Sequence, residues 1–286
     1  MGFEPDLQQS LDQSLRAHAC ALLEQAAAGL QGEREQDEAV HEARKGIKKL
    51  RALLRLIELP LGRKFRPCDR YFRDIARSLS PLRDAVVQRQ VLELLGRQHP
   101  ELAELTGRLQ PLLPVAKVKK PGKLLRQAAT ALLDGRQRVA RWPPFEPRFR
   151  TLGAGFRTVY QQAREPAWLL LGREPAEPWH QWRKWVKYHG YQLRLLQPLA
   201  PDWLQPRALR LKALGERLGD EHDLDMLAGI LLRHDAALAG ATGPALALIG
   251  ERRDQLRRQA LQEGQALFAD EPGEMSRRLK QHWRRD

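Results

Sequence analysis

His41, Arg44, Lys45, Lys48, Lys49, Arg51 and Arg55 crowd cationic and titratable side chains into one short segment. The same kinds of residue return 139 positions later as His180, Arg183, Lys184, Lys187 and Arg194, with no gap needed to align the two segments. Arginine offers phosphate oxygens a planar fork of donors, lysine an adjustable point charge, and histidine either a cation or a neutral donor. Such a set can hold an anion through many contacts. A second series, Arg66, Arg70, Arg73 and Arg77, stands at i, i+4, i+7 and i+11. Its image at the same offset is Gln205, Leu209, Lys212 and Glu216, which keeps one cation. The repeat therefore predicts one cavity with a strong first side and a weak second side. Arg83-Asp84 and His222-Asp223 coincide at this offset too, and each acid is read as orienting a neighbouring cation or capping a helix.

Helices must position these groups. At 3.6 residues per turn, His41, Arg44, Lys45, Lys48, Arg51 and Arg55 fall within one arc, opposite Val40, Ala43, Ile47, Leu50, Leu54 and Ile57. In the second segment His180, Arg183, Lys184, Lys187, Tyr191 and Arg194 oppose Trp182, Trp185, Val186, Leu193 and Leu196. Each helix is expected to bury one face and present a cationic one. Like charges one turn apart cost roughly 0.2–0.5 kcal/mol per pair. No acid shares these arcs to relieve them, so an anionic partner is expected. His189 takes the place of Leu50 on the apolar side and reads as a core residue.

The rest of the chain is helical in pattern as well: Leu, Ala, Gln, Arg and Glu dominate, and alternating β-branched runs are almost absent. Proline and glycine cut it into roughly ten to twelve segments of ordinary helix length. Ser80-Pro81 reads as an N-cap with a first-turn proline, and Leu218-Gly219-Asp220 as the matching helix break. A boundary near residues 141–147 would divide the chain into halves 1–140 and 141–286, with a helix near 6–28 answered by one near 147–165.

The 286 residues carry a formal net charge of +14, which attracts polyanions. Residues 1–40 run the other way, with eight acidic side chains and two basic ones. That segment complements the basic faces in charge and could cover them. Cys20 and Cys68 have no metal-ligand spacing and suit a reducing compartment. The start, Met1 to Asp6, lacks a signal-peptide pattern, and no stretch is apolar enough to span a bilayer. A cytoplasmic protein is expected, with no membrane partner, no metal and no cofactor.

The pattern Val40-His41-x-x-Arg44-Lys45-x-x-Lys48-Lys49-Leu50-Arg51-x-x-Leu54-Arg55, followed by Leu82-Arg83-Asp84-x-Val86, resembles the first repeat of the CHAD domain, the histidine-containing α-helical family. Trp179-His180-x-Trp182-Arg183-Lys184-x-x-Lys187-x-x-x-Tyr191, with Leu218-Gly219-x-x-His222-Asp223-Leu224, is similar to the second. The resemblance implies an all-α fold of two pseudo-symmetric four-helix-bundle-like halves around a basic central cavity. It also implies binding of inorganic polyphosphate, association with polyphosphate granules, and no catalytic activity. Carried over by position, His41, Arg44, Lys45, Lys48, Lys49, Arg51, Arg55 and Arg73 would be ligands, as would His180, Arg183, Lys184, Lys187, Arg194 and Lys212. The second motif departs from the family's Lys-x-Leu-Arg-Tyr, reading Lys187-Tyr188-His189-Gly190-Tyr191 without the arginine that matches Arg51. Ser80-Pro81 stands where the family commonly has Leu-Gly. The alternating Glu-x-Glu-x-Lys strand of the triphosphate-tunnel enzymes often fused to this module is not found, so a stand-alone module is expected.

Two other readings compete. His222-Asp223 could be the core of an HD-type metal phosphohydrolase, recruiting His180 and Asp225 as further ligands. Charge alone would permit nucleic-acid binding, but single strands usually need stacking aromatics among the cations. Trp182 and Trp185 lie instead on the face expected to be buried.

Overall fold

Apolar residues at three- and four-residue spacing build twelve α-helices among the described residues of a computed structural model, which are 11–283 without 34, 99, 114–117, 119, 147, 173 and 239. In chain order they are α1 (Leu11–Ala28), α2 (Gln36–Leu56), the single turn α3 (Glu58–Leu61), α4 (Phe65–Ser78), α5 (Ser80–Gln98) and α6 (Ala103–Leu109). They continue as α7 (Pro121–Ala140), α8 (Phe149–Leu169), α9 (Ala176–Leu196), α10 (Pro201–His234), α11 (Gly243–Leu267) and α12 (Pro272–Trp283). The described residues contain no strand, and none of their helices is long and apolar enough to cross a membrane. The all-α class is as expected. Residues 6–10 of the first expected helix, Glu4 and Asp6 of the acidic start and Pro147 at the expected boundary lie outside the described residues.

The two basic helices are buried on the sides that their periodicity marks. Val40, Ala43, Ile47, Leu50, Leu54 and Ile57 are buried beneath α2, and Trp182, Val186, Leu193 and Leu196 beneath α9. Trp185 differs from expectation: it is half-buried and packs against Tyr188. His189 is in the core, among the rings of Phe156, Tyr160 and Phe268. Burial and the charge of Arg207 hold its pKa at about 3, so the ring stays neutral.

The largest core cluster joins residues of α1, α2, α4 and α7 to residues of α8, α9, α10, α11 and α12. A second cluster joins Leu92, Leu95, Leu105 and Leu109 of α5 and α6 to Leu227, Ile230, Leu231 and Ile249 of α10 and α11. Both cores thus mix side chains from either end of the chain. α2 lies against α9, and α5 against α10, which sets the four helices around a common space.

One break falls where it was expected and its partner does not. α5 opens at Ser80, directly after Leu79, whereas α10 runs unbroken through Leu218-Gly219-Asp220 for 34 residues. Glycine lowers helix propensity, hence the expectation. In α10 it serves close packing instead: a Cβ on Gly219 would stand 3.2 Å from Arg183 Nη2, and one on Gly215 3.4 Å from Lys187 Cγ. The missing side chains leave room for two cations of α9.

Candidate functional site

Helices α2, α5, α9 and α10 enclose a cavity of ≈ 590 Å³. α2 contributes His41, Arg44, Lys45 and Lys48, and α9 contributes Arg183, Lys187, Tyr191 and Arg194. Arg83, Asp84, Val87 and Gln88 line it from α5, and Lys212, Glu216, His222 and Asp223 from α10. Residues at i, i+3, i+4 and i+7 share one helix face, so each basic helix delivers several charges to the same space.

Arg44 is braced by its own half of the chain. Its Nη1 donates to the Ala76 carbonyl at 2.6 Å and to Ser80 Oγ. Ser80 therefore receives the arginine at the cavity wall, a role its expected capping did not anticipate. Arg183 lies over Gly219 with its buried Nε lacking any hydrogen-bond partner among the described residues. Burial pushes this guanidinium below its ordinary pKa, against the attraction of Asp223.

The two lysines between them are more strongly affected. Burial, then the charges of Lys187, Arg183, Arg44 and Arg83, lowers the Lys48 ammonium from 10.5 to about 7. Burial and Arg183 lower Lys187 to about 8, with Asp223 opposing. Asp223 itself is raised, because burial outweighs its cationic neighbours. Arg44, Lys48, Arg183 and Lys187 form the centre of the site, and their charges are incompletely balanced.

The histidines are not equivalent. His41 is exposed at the rim, where burial of part of the ring and the charge of Arg83 lower its pKa. His180 does not line the cavity; its Nε2 meets Nδ1 of His222 at 2.5 Å, and it is 3.9 Å from Asp225. Burial and His180 hold the lining His222 at about 3. The residues considered for a metal phosphohydrolase thus do come together. Asp225, however, pairs with Arg253 at 2.7 Å, and no group of three or more His, Cys, Asp or Glu among the described residues is arranged to hold a metal ion.

Several expected ligands lie elsewhere. Arg51 and Arg55 both grip Asp69 of α4, at 2.8 and 3.0 Å and at 2.7 and 3.2 Å. The guanidinium of Arg55 also stacks 4.3 Å above the Tyr188 ring of α9. Burial alone would raise the Asp69 carboxyl, but these hydrogen bonds outweigh it and hold it at about 2. The physical reason is position: at this end of α2 the polar arc is covered by α4, so the arginines tie three helices together. Lys49 is half-buried outside the lining, and Lys184 turns to Gln181 and the Trp185 ring.

Arg66, Arg70, Arg73 and Arg77 are all exposed, and none lines the cavity. Their images Lys212 and Glu216 do line it. The break at Leu79 accounts for this difference, since α4 and α5 form two helices where α10 is one. The expected strong and weak sides are therefore corrected: Arg44, Lys45, Lys48 and Arg83 from the first half face Arg183, Lys187, Arg194 and Lys212 from the second. The asymmetry lies outside the cavity.

Sequence reading missed Arg83 as a lining cation and Glu216 as a lining acid. It also missed a buried network in which Glu221 receives Arg253 and Arg257, and Arg257 reaches the carbonyls of Gly172 and Glu174. The spacing of Gly215 and Gly219, one turn apart on α10, was the available signal for close approach of α9.

Solved structures similar to this chain include the following two. "PptA from Streptomyces chartreusis" has 18% identity and a TM-score of 0.54, covering 97% of this chain and 100% of that one. "Crystal structure of the CHAD domain from the plant Ricinus communis" has 17% identity and a TM-score of 0.54, covering 94% of each. At these identities the likeness concerns the fold. No curated protein matches the chain. The sequence model of the CHAD domain matches residues 13–232, a span that takes in every residue lining the cavity, and the chain belongs to the CHAD domain family.

Proposed function

We propose that the chain is a binding module that holds inorganic polyphosphate in this cavity, without a reaction of its own, and that this binding associates it with polyphosphate granules. We also propose that residues 1–140 and 141–286 act as two repeats of one domain sharing the site. The observation that carries the reading is charge balance: eight lysines and arginines face three carboxylates in a space of ≈ 590 Å³. A flexible chain with about one negative charge per phosphate would neutralise several of these cations at once and release their counterions. Tyr191 is the one Phe, Tyr or Trp lining the site among the described residues, which supports a ligand without bases to stack.

Titration with polyphosphates of defined length across a salt series tests this reading. Affinity is expected to fall steeply as salt rises, and polyphosphate is expected to outcompete RNA and DNA at equal phosphate concentration. A salt-independent affinity, or a preference for nucleic acid, would overturn it.

A further inference from the structure

The arginine face of α4 finds no use in the cavity. Arg66, Arg70, Arg73 and Arg77 are exposed on one side of the helix, while Phe72, Ile75 and Leu79 are buried on the other. Arg66, Arg70 and Arg77 make no ion pair among the described residues, and Arg73 pairs with Asp74 of its own helix at 3.3 Å. Glu58 is close enough to Arg66 for its carboxyl to feel that charge. No aromatic side chain is exposed on this face: Tyr71 is half-buried, donating to the Ala131 carbonyl, and Phe72 is fully buried.

The direction of the stripe is set by contacts with α2. Asp69, near its beginning, meets Arg51 and Arg55; Ala76, near its end, receives Arg44, which lines the cavity. From Arg66 to Arg77 the stripe therefore advances about 16 Å toward the cavity, at the ordinary rise of a helix. Leu79 alone separates α4 from α5, whose Arg83 and Asp84 line the cavity. Asp84 stands seven residues beyond Arg77, exposed and lining the cavity. The arginines thus lead up to the mouth.

We infer that α4 is an external track for the part of a long polyphosphate chain that emerges from the cavity, so that the protein binds long chains more tightly than short ones. This rests on the proposed polyphosphate reading of the cavity and adds a chain-length preference to it. Short oligophosphates are accommodated by the cavity alone; longer ones gain contacts with Arg66, Arg70, Arg73 and Arg77. Arginines spaced by single helical turns suit a flexible chain of repeating charges, whereas a nucleic-acid strand would find no ring to stack on.

The test compares the unaltered protein with a fourfold Arg→Gln variant at positions 66, 70, 73 and 77, and with the corresponding fourfold Arg→Lys variant. Each is titrated with tripolyphosphate, with single-stranded DNA, and with polyphosphate chains of about a hundred phosphates, long enough to occupy cavity and track together. For long chains the Gln variant is expected to lose about tenfold or more in affinity, and the slope of log K against log salt to fall by about 3. Its affinity for tripolyphosphate is expected to stay within about twofold, because the cavity is untouched, and Lys replacements are expected to restore most long-chain binding. Unchanged long-chain affinity in the Gln variant would overturn the track, and so would an equal loss for both ligands, which would indicate a diffuse field. A loss on single-stranded DNA but not on long polyphosphate would assign the stripe to nucleic acid instead. Failure of the unaltered protein to bind either phosphate ligand would overturn the cavity reading itself.

Discussion

Lys48 and Lys187 stand 139 residues apart in the chain and line one cavity, and after burial the charge of Lys187 is the largest influence lowering the pKa of Lys48. Two positions that correspond in the repeat are thus brought close enough to oppose each other's protonation. An anion between them would reverse that effect.

Binding should therefore take up protons. With pKa values of about 7 and about 8, against 10.5 for an unperturbed lysine, both ammonium groups are partly deprotonated in mildly alkaline solution. A polyanion favours the charged forms and raises both values. Calorimetry at about pH 8 in buffers of different ionisation enthalpy should show net proton uptake, and affinity should decline as the pH rises through this range. For the free protein the sign is fixed by the same shifts. The unfolded chain holds more protons than the folded one between about 7 and 10.5, so stability rises with pH there and is lost as pH falls through the folded values.

Gly219→Ala should separate binding from stability. The added Cβ would stand 3.2 Å from Arg183 Nη2, so the guanidinium must shift away from its seat over α10. Alanine is also better than glycine inside a helix by about 1 kcal/mol. Thermal unfolding should show an unchanged or raised midpoint, while polyphosphate affinity falls several-fold. A stable variant with undiminished affinity would show that the position of Arg183 does not matter to binding.

Asp69→Ala should do the opposite. It removes the shared acceptor of Arg51 and Arg55, whose side chains are largely buried between α2, α4 and α9. Leaving two such guanidinium groups unpaired costs roughly 2–4 kcal/mol, measurable by urea unfolding. Its carboxyl is held at about 2, below the ordinary 3.8, so this stabilisation is present above the ordinary value and is lost as pH falls through about 2. Polyphosphate affinity of the folded variant should change less than about twofold, a modest effect compared with loss of a direct charged ligand.

The contrast between Arg44 and Arg51 indicates what could be read from sequence. Periodicity placed both on one polar arc of α2 and correctly buried Ile47 and Leu50 beneath them. It carried no information on which part of the arc α4 would cover, so Arg51 and Arg55 were expected in the cavity although Asp69 takes them. Gly219 was read as a helix break because propensity is local, whereas its purpose lies in the packing of α9 on α10. The four arginines of α4 were correctly seen as one stripe and the break at Ser80 was read too, but its expected match in α10 is absent, and periodicity does not tell which side of a break faces the cavity.

The central claim is that cations from both halves act together on one polyphosphate chain, and retention of an Arg44→Glu, Arg183→Glu double variant on immobilised polyphosphate tests it most directly. The variant should fail to be retained at physiological salt, while circular dichroism and the thermal unfolding transition remain those of the folded protein. Retention equal to that of the unaltered protein would contradict the claim.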